Sequence, residues 1–98
     1  MDYVVDVWPQ VQAFYAELGM TYRRETKRAL MLLRKEQGDI KPLGDDLDGF
    51  YRLRVGPFRV IFRYREGKVI ECVYMNRRSV VYDVFEREVI DRLKGREK

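Results

Sequence analysis

Several arginines and one tyrosine in the second half of the chain have the types and spacing needed to hold a phosphate group. They are Arg52, Arg54, Arg59, Arg77, Arg78 and Tyr82. A guanidinium group keeps its positive charge and presents a planar fork of N–H donors that matches two phosphate oxygens. A tyrosine beside such arginines can stack on a base or hold a ribose hydroxyl. The set predicts phosphate binding, with a nucleic acid as the polyanion.

Two predicted strands flank the dipeptide Gly56-Pro57, and alternation along them places three of the arginines on one face. A two-residue turn at this dipeptide sets Arg54 directly opposite Arg59, with Arg52 on the same face. Like charges opposite each other destabilise a sheet, so their presence favours a site built for an anion. The alternative is that these arginines extend into water and protect a sheet edge.

A second basic segment, residues 76–82, leaves the last predicted strand and ends on Tyr82 at the start of a helix. It adds Arg77 and Arg78 to the arginines of the hairpin. Tyr82 has two interpretations at this point. It contacts the nucleotide, or it is a half-buried aromatic that packs the last helix onto the sheet.

The residue types that are missing exclude several kinds of chemistry. The chain has no histidine, which excludes Ser-His-Asp and Cys-His catalysis, histidine-ligated zinc and a histidine acid/base pair. The one cysteine, Cys72, cannot form an internal disulfide and is expected to pack mid-strand as a small hydrophobic residue. We expect a cytoplasmic protein with no metal, no cofactor, no membrane segment and no secretory signal.

Charge is distributed unevenly along a chain of single-domain length, residues 1–98. Hydrophobic residues make up 46% and charged residues 37%, which is typical of a globular protein. The net charge is +4, yet residues 1–50 carry seven basic and nine acidic residues, against thirteen and seven in residues 51–98. A basic second half suggests a polyanionic partner, and a solvated basic surface is the alternative.

The elements that must position these residues predict an α+β fold. An N-terminal strand and a helical hairpin pack on a small antiparallel sheet, and a helix closes the chain. The predicted strands are residues 3–8, 50–55, 58–65 and 68–75, and the predicted helices are 9–19, 21–37 and 82–94. Residues 39–49 are predicted to be a polar connector.

Two segments carry a family resemblance. LDGFYRLRVGPFRVIF, residues 47–62, resembles the central signature of the RelE/ParE toxin superfamily, and RSVVY, residues 78–82, is similar to its closing motif. The resemblance implies the toxin of a type II toxin–antitoxin system. RelE-type members are ribosome-dependent mRNA endoribonucleases, or mRNA interferases, that bind RNA and inhibit translation. ParE-type members share the fold and inhibit DNA gyrase without a nuclease activity.

The resemblance also implies roles for individual residues. In RelE-type chemistry the ribose 2′-OH attacks the adjacent phosphorus. Arg54, Arg59, Arg78 and Tyr82 match the catalytic positions: Arg59 neutralises the scissile phosphate and Tyr82 orients the nucleotide. Arg52 and Arg77 match positions that bind RNA or phosphate.

Three positions depart from the RelE-type pattern. Arg52 and Arg54 stand where that pattern has lysines, one of them the general base, and arginine is a poor proton acceptor. Asn76 stands where the pattern has a further arginine. The proton acceptor is therefore unassigned, with carboxylates of residues 45–48 and a weakly basic Tyr82 as options. A gyrase inhibitor of the ParE type and a catalytically inactive binding module stay open as alternatives.

The resemblance implies a cognate antitoxin as protein partner, together with mRNA and the ribosome. The antitoxin is expected to dock on the helix pair and the last helix. Phe85, Val89 and Leu93 are available as anchors there, and plain core packing is their alternative role.

Overall fold

The computed structural model describes residues 2–90 and residue 93. Its strands are β1 (Val4–Val7), β2 (Ile40–Pro42), β3 (Tyr51–Val55), β4 (Phe58–Arg65) and β5 (Val69–Arg77). Its helices are α1 (Pro9–Ala16), α2 (Met20–Leu33) and α3 (Val81–Val84), and α3 continues into a π-helical turn over Phe85–Ile90. A 3₁₀ turn covers Asp45–Leu47. The predicted α+β class is confirmed, and the predicted last helix reaches beyond the described residues.

The described strands form one sheet in the order β1-β5-β4-β3-β2. The meander of β3, β4 and β5 is antiparallel as predicted, whereas β1 runs parallel to β5, so the sheet is mixed. β2 was missed: it lies within the predicted connector and pairs with β3 at the sheet edge. A three-residue strand that ends in Pro42 is too short to show alternation. Proline has no N–H to donate, and a sheet edge tolerates it because one side of an edge strand has no neighbouring strand.

The two N-terminal helices are shorter than predicted because of how α2 begins and ends. Gly19, predicted as the end of α1, has extended backbone and precedes α2 as its N-cap. At the other end the N–H groups of Glu36 and Gln37 donate to the carbonyls of Leu33 and Leu32, with Glu36 at a φ of 56°. This is a Schellman motif, which ends the helix before the glycine that was expected to do so.

Apolar side chains cover both faces of the sheet. One cluster lies between the sheet and helices α1 and α2 and includes Val60, Phe62 and Cys72. The other lies under α3 and includes Ile61 and Phe85. Cys72 is fully buried, as expected for a small hydrophobic residue, and burial raises the pKa of its thiol to about 12.

A β-bulge in β5 changes which face its residues occupy. Tyr74 pairs with Ile61 and Cys72 pairs with Phe62, so Val73 is the extra residue. Cys72 and Met75 therefore both pack on the α1/α2 side, although alternation without a bulge would place them on opposite faces. Asn76 consequently lies opposite Arg59 on the other face.

No helix among the described residues is long and apolar enough to cross a membrane.

Candidate phosphate-binding groove

The hairpin of β3 and β4 sets the register of the site. Val55 pairs with Phe58 and Arg54 pairs with Arg59, which confirms the predicted two-residue turn. Gly56 has a φ of 55° at the first central position of that turn, where a side chain would be strained. The tight turn keeps the two arginines at the end of the sheet nearest the C-terminal end of β5.

The end of β5 completes a groove beside this hairpin. Its lining consists of Arg54, Gly56, Pro57, Arg59, Arg77, Arg78 and Ser79, around a volume of about 660 Å³. Four of the six predicted site residues therefore meet in one place. None of the described residues that line the groove is acidic, although Asp39, outside the lining, lies 3.9 Å from Arg54 Nη1. Among residues 2–90 and 93, no three cysteine or carboxylate groups are arranged to hold a metal ion.

Arg59 forms the floor of the groove, with only 7% of its surface exposed. Its Nη1 donates to the carbonyl oxygens of Gly56 at 3.0 Å and Phe58 at 2.9 Å. No buried side-chain nitrogen in the described part of the chain lacks a hydrogen-bond partner. Its other guanidinium nitrogens, for which no protein partner is seen, therefore reach solvent. The side chain is thus held by its own turn while part of its donor fork stays available.

Electrostatics at Arg59 show how closely the cations are grouped. Burial lowers the pKa of Arg59, Tyr82 acts in the opposite sense, and the charges of Arg52, Arg54 and Arg78 lower this pKa further. An arginine stays protonated in a protein despite such effects. An anion bound at this point would relieve the mutual repulsion of the cations.

The two arginines after β5 are fixed through their backbone. The N–H of Arg78 donates to the carbonyl of Pro57 at 2.9 Å, which ties this segment to the β3–β4 turn. The N–H of Arg77 donates to Oδ1 of Asn76 at 2.8 Å. Both side chains are exposed, so they can adjust to a ligand while their backbone is held.

Arg52 and Tyr82 lie next to the groove and do not line it. Arg52 Nη1 donates to the backbone carbonyl and to Oδ1 of Asp39, both at 3.1 Å. Asp39 also lies 3.9 Å from Arg54 Nη1 through its other oxygen. Tyr82 is half-buried and packs against the α3 cluster, and its charge acts to raise the pKa of Arg59. Both interpretations of Tyr82 are therefore compatible with its position.

Gln10 supports the groove from the opposite side of β5, and the sequence did not suggest it. Its Nε2 donates to the Met75 carbonyl at 2.9 Å, and the Met75 N–H donates to its Oε1 at 2.8 Å. The backbone ladder of β1 ends one step earlier, where the Trp8 N–H donates to the Cys72 carbonyl. The Gln10 amide replaces the next peptide group, because the chain has already turned into α1. It holds β5 directly before Asn76.

The carboxylates suggested as proton acceptors do not reach the groove. Asp45 and Asp46 lie in the 3₁₀ turn and Asp48 follows it, and all three are exposed outside the groove lining. The described site is therefore built almost entirely from cations and backbone groups. It is suited to binding and stabilising a phosphate, and it offers no strong base.

Comparison with known proteins identifies the fold. No family model matches the chain, and no curated protein matches it by sequence. Among solved structures, the toxin–antitoxin complex RelBE2 from Mycobacterium tuberculosis aligns with a TM-score of 0.71 at 18% identity, over 80% of this chain and 100% of that one. A free mutant of the Escherichia coli toxin RelE gives 0.69 at 19% identity, over 95% and 99%. The RelE–RelB complex from Pyrococcus horikoshii gives 0.66 at 26% identity, over 80% and 97%.

Proposed function

Because this chain has the fold of the RelE-type toxins, we propose that it is the toxin of a type II toxin–antitoxin pair and cleaves mRNA on the ribosome. The observation that carries the proposal is the groove in which Arg54, Arg59, Arg77 and Arg78 meet, with no carboxylate among its described lining residues. Preorganised cations that face developing negative charge are the largest source of rate enhancement in many phosphoryl reactions.

The reaction is an internal displacement at phosphorus. The ribose 2′-oxygen attacks the adjacent phosphorus, the bond from phosphorus to the 5′-oxygen breaks, and a 2′,3′-cyclic phosphate remains. The 2′-proton goes to a base and the departing 5′-oxygen takes up a proton. Arg59, already held by two backbone carbonyls, stabilises the dianionic phosphorane together with Arg54 and Arg78. Arg77 lies at the groove edge, where it can stabilise the departing oxygen.

The proposed site has no strong base to accept the 2′-proton. Cations around the scissile phosphate favour ionisation of the neighbouring 2′-OH, which lets a weak base take its proton. Tyr82, whose charge acts to raise the pKa of Arg59, is the weak base we propose. We expect slow cleavage compared with an enzyme that has a lysine or histidine in this place.

The test is primer extension on a translated reporter mRNA after brief induction of the chain. We expect discrete cuts inside the reading frame that disappear with Arg59→Ala. Arg65→Ala is the matched control, because Arg65 is exposed on the same strand and does not line the groove. Cuts that persist in soluble Arg59→Ala protein would contradict the proposal.

A gyrase inhibitor of the ParE type is the second candidate function. The observation in its favour is the absence of a base among the described groove residues, with arginine at both 52 and 54. It predicts growth arrest with DNA-damage signalling and without mRNA cuts. Neither arrest nor cuts from soluble protein would leave the third possibility, an inactive module that binds its partner.

A further inference from the structure

Asp39 places its carboxylate between two arginines beside the arginine groove, which is the one that Arg54, Arg59, Arg77 and Arg78 line. Its Oδ1 lies 3.1 Å from Arg52 Nη1, and its Oδ2 lies 3.9 Å from Arg54 Nη1. Arg52 Nη1 also donates to the backbone carbonyl of Asp39 at 3.1 Å. One carboxylate therefore faces two guanidinium groups, with one oxygen toward each.

The backbone fixes Asp39 at this position. The Arg54 N–H donates to the Asp39 carbonyl at 3.0 Å, which continues the pairing of β2 with β3 by one residue. On its other side Arg54 pairs with Arg59. Paired residues lie on the same face of a sheet, so Arg54 stands between an anion before β2 and a cation on β4.

The carboxylate of Asp39 contacts the arginines as a phosphate would. Carboxylates and phosphates are alternative partners of arginine, because both accept parallel N–H bonds from the guanidinium fork. Asp39 holds the two arginines unequally. The side chain of Arg52 is 13% exposed and makes the short contact, whereas that of Arg54 is 57% exposed and makes the long one. A single phosphate in the groove can therefore attract Arg54 while Arg52 stays with Asp39.

Lys41 adds a further cation beside this pair. β2 pairs Lys41 with Arg52, so both side chains lie on the same face of the sheet. Lys41 is exposed, and it takes part in none of the ion pairs seen among residues 2–90 and 93. A second phosphate, next to the one in the groove, would meet Arg52 and Lys41 together. It can compete with Asp39 for Arg52, because a partly exposed ion pair contributes little.

We propose that Asp39 occupies the place of a second phosphate, and that a phosphodiester chain bound in the groove displaces it with its neighbouring phosphate, which Arg52 and Lys41 then bind. The proposal deepens the proposed function and rests on it for the identity of the chain as a nucleic acid. Asp39 is then a specificity-determining residue. It favours a chain over an anion with one phosphate, because such an anion does not replace it at Arg52.

The test compares inorganic phosphate with a short single strand of 2′-deoxyuridine nucleotides, and it follows the NMR signals of the arginine side chains. The strand has no 2′-OH, so it cannot be cleaved by internal displacement. We expect both ligands to shift the signals of Arg54 and Arg59. Only the strand should shift the signal of Arg52, because only the strand brings a second phosphate.

Substitutions of Asp39 separate competition from a structural role. Asp39→Asn removes the charge and keeps an oxygen that can accept from Arg52, so the fold should persist. We expect this variant to bind the strand about threefold more tightly at low salt. Inorganic phosphate should now shift the Arg52 signal as well. Asp39→Glu keeps the charge and should remain close to wild type. Asp46→Asn is the matched control, because Asp46 is exposed, carries the same charge and lies outside the groove lining.

Lys41→Gln tests the second phosphate directly. We expect weaker binding of the strand and an unchanged affinity for inorganic phosphate. Loss of one phosphate contact should also reduce the slope of log affinity against log salt by about 0.7. Lys35→Gln is the control, since Lys35 is equally exposed and follows α2, away from the β2–β3 pair.

Three results would overturn the proposal. They are an Arg52 signal that the strand does not shift, an Asp39→Asn variant that binds the strand no more tightly than Asp46→Asn, and a Lys41→Gln variant with the wild-type salt dependence. These experiments measure binding without cleavage. Absence of mRNA cuts would refute the proposed function, whereas any of these three results would refute the role of Asp39.

Discussion

Arg54 lies directly opposite Arg59 across β3 and β4, so one cross-strand pair of the sheet consists of two cations. Cross-strand pairs change stability by about 0.2–1 kcal/mol, with like charges unfavourable. Burial of Arg59 adds to that cost. The fold thus keeps an unfavourable arrangement at the place where a phosphate would make it favourable.

Replacing Arg54 should therefore stabilise the protein while it weakens anion binding. We expect Arg54→Thr to raise the free energy of unfolding by about 0.5 kcal/mol, because threonine suits a strand and removes the repulsion. Urea unfolding at low salt measures the gain, which should shrink at high salt because the repulsion is screened. A loss of stability would mean that the 3.9 Å pair with Asp39 outweighs the repulsion.

Gln10 should act as a positioning residue for the arginine groove. Gln10→Met removes both hydrogen bonds to Met75 and leaves a backbone N–H and carbonyl unpaired, so we expect a loss of about 1–3 kcal/mol. Because the end of β5 loosens, phosphate affinity of the still-folded variant should also fall severalfold, as measured by NMR titration.

Gln12→Met is the matched control for Gln10. Gln12 lies on the same helix and donates to the Val7 carbonyl at 2.8 Å, so its hydrogen bond is to β1 and not to β5. Its replacement should cost under about 1 kcal/mol and leave phosphate affinity unchanged. Equal phosphate affinity in both variants would show that Gln10 has only a structural role.

Tyr82→Phe separates the two interpretations of this residue. The ring is half-buried against the α3 cluster, and phenylalanine preserves that packing. We expect the free energy of unfolding to change by less than about 0.5 kcal/mol, while growth arrest and mRNA cleavage are strongly reduced. Arrest at the wild-type level would leave Tyr82 as a packing residue.

The Arg63–Glu71 pair should make stability depend on acid pH. Burial raises the pKa of Glu71, but hydrogen bonds from Arg63 and Trp8 and the charges of Arg63 and Arg65 outweigh it, so the pKa lies below its ordinary 4.5. Nε of Arg63 is 2.7 Å from Oε1 of Glu71. A lowered folded-state pKa contributes stability above the unfolded-state value, and this contribution is lost as pH falls through the folded-state pKa.

Urea unfolding between about pH 6 and pH 3 measures this contribution. Wild type should lose more stability over that range than Glu71→Gln, which has no proton to take up at this position. Glu66→Gln, in the exposed turn before β5, serves as the control. Parallel pH profiles for wild type and Glu71→Gln would contradict the prediction.

The hairpin was predictable because strand alternation and a Gly-Pro turn are local properties. They placed Arg54 opposite Arg59 without any knowledge of the rest of the fold. The contacts of Asp39 with Arg52 and of Gln10 with Met75 were not predictable. They join residues that are distant in the chain, and nothing in a single glutamine or aspartate indicates its partner. β2 was too short for a pattern, and the parallel pairing of β1 leaves no local signal.

Because of the bulge at Val73, the number of residues between Cys72 and Asn76 decides which face of the sheet Asn76 occupies. Four steps along β5 separate Cys72, in the α1/α2 core, from Asn76, which lies opposite Arg59. Deleting one residue from this interval would remove the bulge and leave Asn76 on its present face, whereas inserting one more residue beside the bulge would turn Asn76 over to the α1/α2 side, although every other residue kept its chemical type. Substitutions that preserve size can therefore accumulate here during evolution, whereas a single-codon insertion would separate the core from the site that it supports.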